Sequence, residues 1–228
     1  VNCTLLVVDL DGTLTLSRNT YELSLEALAA LRRARDAGIR VVLATANGLD
    51  FALTVARYLG IRDVIAENGC FVYLDGEVHE LCSGDMSGVD RAVLATGAVA
   101  PSPQNRCRRY DLAYIPLAGN ALERVRAAVG PDYVVEFSGY AIHVRPGGVD
   151  KGYAVLWLCK RLGIPCHKVA AVGDSDVDAG MLRVAWGIAV GNASPAAKSA
   201  ARAVVKGPSG IGFSEAVDLI LSGAACTP

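Results

Sequence analysis

Positive charge is not in excess in this sequence: Lys and Arg number 22 against 23 Asp and Glu, a net charge of -1. That excludes the basic footprint of a nucleic-acid binder. The tightest basic cluster, Arg106, Arg108 and Arg109, reads as a solvated face rather than a polyanion site. No apolar stretch approaches the roughly 18–20 residues that a membrane span needs. The opening Val1-Asn2-Cys3-Thr4 lacks a basic n-region, and the apolar segment behind it runs into Asp9. A signal peptide is therefore not expected, and the expected compartment is the cytoplasm. The seven cysteines (Cys3, Cys70, Cys82, Cys107, Cys159, Cys166 and Cys226) contain no CxxC, and their wide spacing fits no zinc template. Most are expected to be small buried hydrophobes, with a structural disulfide an option if the source is a hyperthermophile. Internal repeats and low-complexity tracts are also missing. What is present is a chain of 228 residues, 52% hydrophobic, enough for one large core or a core plus a smaller domain.

The first segment alternates strand and helix. Leu5-Leu6-Val7-Val8 is an apolar run that delivers Asp9 and Asp11 to a glycine turn at Gly12, the pattern of a buried parallel strand. Leu25, Leu28, Leu31 and Ala34 recur at helical spacing, and Gly38 closes that helix. Strands are expected at 39–44 and 64–66, with a helix at 49–59 between them. This order predicts a doubly wound α/β fold with a parallel sheet. The texture changes near Leu81-Cys82-Ser83-Gly84. A helix is expected over 87–99, then a break at Pro101-Ser102-Pro103, an extended stretch over 108–115 and a helix over 121–129. A hairpin over 133–145, turning near Gly139, alternates apolar and polar residues, which suits a half-exposed antiparallel sheet. Residues 83–149 therefore read as a smaller α/β unit inserted into a core made of 1–82 and 150–228. The core pattern resumes at Lys151 with a helix over 152–162, a strand over 169–172, a strand over 186–190 and a last helix over 212–221.

Four separated elements carry residues suited to phosphoryl transfer. Asp9 and Asp11, held this close, repel unless a cation or a shared proton intervenes. A divalent metal resolves the repulsion, and oxygen ligands with a phosphate substrate favour Mg2+. Asp9 suits a nucleophile because a carboxylate is ionised at neutral pH without a general base. Asp11 suits a general acid and base. Thr45-Ala46-Asn47 ends the second strand, where a hydroxyl and backbone N–H groups can hold phosphoryl oxygens; alone, the threonine would read as a helix cap. Lys151 precedes a helix and could hold nucleophile and phosphoryl together. Asp174, Asp176 and Asp178 crowd the exit of a buried strand. Asp174 and Asp178 are candidate metal ligands, the latter directly or through water, and Asp176 is expected to face solvent. An EF-hand fails on its missing Gly and Glu.

The strings Asp9-Leu10-Asp11-Gly12-Thr13 and Gly173-Asp174-Ser175-Asp176-Val177-Asp178 resemble the first and fourth motifs, DxDGT and GDxxxD, of the haloacid dehalogenase superfamily. Thr45 and Lys151 occupy the second and third motifs in order. The position of the inserted unit resembles the C2-type cap of the Cof-like branch, as do Glu67-Asn68-Gly69 and Gly191-Asn192-Ala193. Asn47, where many Cof-like members carry Arg, is similar to the short archaeal phosphoglycolate phosphatases, although Ala46 replaces their usual Gly. The resemblance implies a Mg2+-dependent phosphomonoesterase working through an aspartyl-phosphate on Asp9. It implies metal contacts from Asp9, Asp11 (through its carbonyl), Asp174 and Asp178, and phosphate contacts from Thr45, Ala46, Asn47 and Lys151. Asn192 would bind phosphate, order the metal loop, or simply make a turn. The implied substrate is 2-phosphoglycolate, a small phosphorylated metabolite, with sugar phosphates or mannosyl-phosphoglycerate as alternatives. No nucleic-acid or membrane partner is expected, and the chain would act as a monomer or homodimer. In the inserted unit, His143 and Arg145 share a strand face that either looks down on the site or is the sheet's solvated side. A different class, a receiver-like regulatory or non-catalytic phosphate-binding protein, would lack either the cap or one of Asp9 and Asp11.

Overall fold

The computed structural model describes residues 2–227. The expected alternation opens the chain as β1 (Leu5–Asp9), α1 (Leu25–Asp36), β2 (Arg40–Ala44), α2 (Leu49–Leu59) and β3 (Asp63–Ala66). Next come β4 (Phe71–Leu74) and β5 (Glu77–Glu80), a hairpin turning at Asp75-Gly76 that the sequence reading did not assign. The middle of the chain supplies α3 (Ser87–Ala95), β6 (Val99–Pro101), β7 (Leu112–Pro116), α4 (Ala121–Ala128), β8 (Tyr133–Phe137) and β9 (Ile142–Pro146). The last part holds α5 (Lys151–Leu162), β10 (Val169–Gly173), α6 (Ala179–Val184), β11 (Trp186–Ala189), α7 (Pro195–Ala200), β12 (Ala203–Val204) and α8 (Ser209–Leu221).

The large sheet has eight strands in the order β12-β11-β10-β1-β2-β3-β4-β5. It is parallel from β12 to β3. This bears out the expected parallel sheet, to which the β4–β5 hairpin adds an antiparallel edge. Every residue of β1 is buried, so both faces of the sheet are covered there. On α1, Ser24 Oγ caps the helix by accepting the Ala27 N–H, and the buried stripe runs through Ala27, Ala30, Leu31 and Ala34. Leu25, expected on that stripe, is exposed instead. Short helices α6 and α7 and the strand β12 were also missed; each is too short to show a period.

Strand register aligns the chemistry. Asp9 pairs with Ala44, Val8 with Val172, and Gly173 with Ala189. The residues that leave β1, β2 and β10 therefore emerge side by side at the carboxyl edge of the sheet, where the strand order reverses at β1. Open α/β sheets put their ligands at such a switch point.

The second sheet is antiparallel, in the order β6-β7-β9-β8, with its own hydrophobic cluster that includes Val93, Val99, Tyr114, Val125, Ile142 and Val144. The helix expected over 87–99 stops at Ala95, because Thr96-Gly97 turns the chain into β6. Ile142 and Val144 face that cluster, which turns His143 and Arg145 the other way. That other face is not solvated. His143 is 4% exposed and Arg145 2%, so the half-exposed sheet expected from the alternation is covered on both sides here.

Six cysteines form three disulfides, Cys3–Cys226, Cys70–Cys82 and Cys159–Cys166, rather than acting mainly as unpaired hydrophobes; Cys107 is exposed and free. Among the described residues, no helix is long and apolar enough to cross a membrane.

Candidate active site

Asp9 ends β1 and is almost fully buried. Lys151, the first residue of α5, reaches it from the other side. Asp150 sets that lysine by capping α5: its Oδ1 accepts the Tyr153 N–H at 2.7 Å. Lys151 Nζ then donates to Asp9 Oδ1 and to Asp178 Oδ1, both at 2.6 Å. Burial opposes the lysine's charge, but the Asp178 and Asp9 carboxylates outweigh it and hold its pKa above the ordinary value. Burial likewise disfavours the Asp178 carboxylate, yet Lys151 and the Ser175 N–H keep its pKa below the usual range. Burial and the Asp178 charge push Asp9 up, against the pull of Lys151.

The β10 exit loop is wound around Asp178. Its Oδ2 accepts the N–H of Asp174 and of Ser175 and the Ser175 hydroxyl, at 2.8–3.1 Å. Both Asp178 oxygens are thus engaged with the protein. Asp176 is exposed. Asp174 is fully buried, and burial together with Asp178 pushes its pKa up to about 6. Its Oδ1 has no partner among the described residues, while its Oδ2 accepts Arg18 Nε at 3.0 Å and Arg18 Nη2. Arg18 Nη1 also donates to the Ser138 carbonyl at 3.0 Å, so one guanidinium joins the β10 loop to the loop between β8 and β9. Carboxylate oxygens of Asp9, Asp174 and Asp178 lie within 4.8 Å of one another. Gly12 lets the β1 loop approach this cluster: with φ at +88°, it has no Cβ to strike Asp174 Oδ2, which would lie 2.2 Å away.

Asp11 Oδ2 accepts Asn47 Nδ2 at 2.9 Å. Burial raises the Asp11 pKa, and the Asn47 bond only partly offsets this. Thr45 Oγ1 accepts both the backbone N–H and the Nδ2 of Asn47, at 3.1 and 3.0 Å. Ala46 and Asn47 line a cavity of about 320 Å³ together with Asp9, Asp11 and Lys151. His143 lines it from above. Arg145 does not: its Nη1 goes to Glu136 and its Nε to the Val149 carbonyl. Asn192 is also outside the wall. It is exposed, accepts the Ser209 N–H at 2.9 Å and donates to Ser209 Oγ, next to α8. The link from that loop to the acidic cluster runs instead through Ser194, whose N–H donates to the Asp174 carbonyl at 2.8 Å.

Sequence reasoning missed the roles of three contributors, although it singled out the Glu67-Asn68-Gly69 string and placed Arg108 on a solvated face. Glu67 is buried, with φ at +48°, and its carboxylate accepts the backbone N–H groups of Arg109, Tyr110 and Asp111. Asn68 Nδ2 adds a bond to Asp111 Oδ2 at 3.1 Å. The Glu67-Asn68-Gly69 string is therefore the plate on which the second sheet sits above the first. Arg18 and Arg108 are the other two, and nothing in their local sequence distinguishes them from surface arginines.

A family model described as haloacid dehalogenase-like hydrolase matches residues 6–83 and 118–216. A Pyrobaculum neutrophilum protein named phosphoglycolate phosphatase is 81% identical over the whole of both chains. One of the same name from Metallosphaera sedula is 40% identical over 96% of this chain and 99% of its own. Among solved structures, a Thermoplasma acidophilum protein superposes with a TM-score of 0.84 at 22% identity, covering 95% of this chain and 97% of its own. A subclass IIB sugar phosphatase superposes with a TM-score of 0.76 at 20% identity, covering 96% of this chain and 99% of its own. With a shared fold, near-complete coverage and an acidic cluster around a buried lysine at the sheet's switch point, the chain belongs to the haloacid dehalogenase-like hydrolase family.

Proposed function

We propose that the protein is a Mg2+-dependent phosphomonoesterase that cleaves 2-phosphoglycolate to glycolate and phosphate through an aspartyl-phosphate on Asp9. The observation that carries this reading is the buried Lys151 ammonium bridging Asp9 and Asp178 at 2.6 Å each, beside the partnerless Asp174 Oδ1. The choice of substrate rests on the 81% identity to a relative named for it and on a cavity of about 320 Å³, at the small end of ligand sites. In this reading residues 83–149 are the cap, and residues 1–82 with 150–228 are the catalytic core.

The donor set suits Mg2+: it is all oxygen, and the Asp174 Oδ1 atom is buried with no partner among the described residues. Asp9, Asp174 and the Asp11 carbonyl would hold the ion, with Asp178 behind them. When bound, it would offset the charge of the carboxylates and of the phosphoryl oxygens. The remaining chemistry belongs to the chain. Asp9 attacks phosphorus in line, and the ester P–O bond breaks as the glycolate oxygen takes the Asp11 proton. Burial, by raising the Asp11 pKa, favours the protonated form this step needs. Asp11 then takes a proton from water, whose oxygen attacks phosphorus and frees phosphate and the Asp9 carboxylate. Lys151 balances charge as Asp9 approaches the anionic phosphoryl group. The Thr45 hydroxyl accepts twice from Asn47, which leaves its own proton for a phosphoryl oxygen.

The test is phosphate release from 2-phosphoglycolate, 3-phosphoglycerate, sugar phosphates and p-nitrophenyl phosphate, with Mg2+ and with EDTA. A kcat/KM highest for 2-phosphoglycolate, abolished by EDTA and by Asp9→Asn, is expected. Turnover by Asp9→Asn, or in metal-free buffer, would overturn the mechanism.

A further inference from the structure

We propose that Arg108 is the carboxylate receptor of this cavity, gripping the acid end of the substrate with the Nε and Nη2 edge of its guanidinium. The inference rests on the reading of the substrate as a phosphorylated acid. Arg108 lines the cavity, and its side chain is only 3% exposed. One side of the guanidinium is committed: Nη1 donates to the Ala46 carbonyl, to the Asp111 carbonyl at 3.0 Å and to Asp111 Oδ2 at 3.3 Å. The other edge is almost free. Nη2 donates to Gln104 Oε1 at 3.2 Å, and Nε is buried with no partner among the described residues. A buried N–H without a partner is costly and calls for an explanation. A bound carboxylate supplies one, because two parallel N–H groups match its two oxygens. Arg18 uses the same Nε and Nη2 edge on Asp174 in this protein.

The other cations near the cavity are engaged. Lys151 is held between two carboxylates, Arg18 is on Asp174, and Arg145 is turned to Glu136. His143 Nδ1 is bonded to Asp111 Oδ2 at 2.8 Å. Gln104 is exposed, so its amide can give way to a ligand at little cost. Position fits as well. Through Ala46, Arg108 grips the loop whose Asn47 holds Asp11, so an acid bound there keeps its ester oxygen near the general acid.

The test compares two esters of similar size, 2-phosphoglycolate and 2-hydroxyethyl phosphate, which lacks the carboxylate. The readout is the ratio of their kcat/KM values, acid over neutral. The wild-type ratio is expected to be well above one. Arg108→Gln should lower it on the order of 10- to 100-fold, the range for hydrogen bonds to a charged group. Arg108→Lys should fall between, keeping charge without the fork. Because Arg108 also ties the cap to Ala46, a second variant leaves it in place: Gln104→Glu sets a competing carboxylate against Nη2 on an exposed loop and should lower the ratio too. A ratio unchanged in both Arg108→Gln and Gln104→Glu would overturn the proposal and make Arg108 a strap between the two sheets. A wild type without preference for the acid would overturn it as well. If the wild type instead favours another phosphorylated acid and the variants lose that preference, Arg108 stands and the choice of 2-phosphoglycolate falls.

Discussion

Lys151 is the residue on which the site turns. Its charge is held in a dry setting only because Asp9 and Asp178 flank it. A raised folded pKa contributes stability that is fully present below the unfolded lysine value of about 10.4. That contribution is lost only as pH rises through the still higher folded value, so Lys151 stays charged across the neutral range. Lys151→Met would leave two buried carboxylates facing each other without a cation. Breaking a buried pair in this way costs about 3–5 kcal/mol. Denaturant unfolding at neutral pH should read that loss, with phosphate release falling alongside; an unchanged midpoint would contradict it. At this scale the sequence was informative where a residue type is conspicuous in its local setting. Asp9, Asp11, Asp174 and Asp178 stand out as carboxylates at the ends of apolar runs. Arg18 and Arg108 do not stand out, because the partners that tie them to the site are distant in sequence: Asp174, 156 residues from Arg18, and the Ala46 carbonyl, 62 residues from Arg108.

Elements owe their relative placement to the short link after β3. Glu67 takes three backbone N–H groups from the segment entering β7, and Gly69 lies against the chain entering α5. At Gly69, φ is +105°, and an added Cβ would lie 2.2 Å from the Asp150 carbonyl oxygen and 3.1 Å from Lys151 N. Gly69→Ala should therefore push the start of α5, and Lys151 with it, away from Asp9. Overpacking of this kind costs roughly 1–3 kcal/mol, and kcat should drop beyond what the lost stability explains. Gly88→Ala on α3, where a Cβ meets nothing within 4 Å, is the control. Equal kcat in both variants would mean that Gly69 does not position Lys151. The alternating strands and helices were legible because each carries its own period. The β4–β5 hairpin was not, because its exposed second strand, Glu77–Glu80, has no apolar run to mark it. The sidedness of β9 was half legible: alternation separates His143 and Arg145 from Ile142 and Val144, but only the packed fold shows that both faces are covered.

The whole molecule is closed by a bond that no local pattern announces. Cys3 precedes β1 and Cys226 follows α8, yet the fold brings them together across a sequence separation of 223 residues. The other two disulfides close much shorter spans, of 12 and 7 residues. Cysteine spacing alone could not pair them, since the partners are chosen by the packing of α8 and α1 against the sheet. In the chain-entropy account, a cross-link restricts the unfolded state more as its loop lengthens, with typical stabilisation of about 2–4 kcal/mol. The bond lies before the first residue of β1, at the sheet edge opposite Asp9, so it should contribute to stability and not to chemistry. Replacing Cys3 and Cys226 together by Ala is expected to lower the unfolding free energy by about 2–4 kcal/mol, while phosphate release at 25 °C stays at the wild-type rate. Adding reductant to the wild type should move its unfolding curve in the same direction. A double variant that unfolds at the wild-type denaturant concentration would show that the tie between the chain's ends adds nothing to the fold.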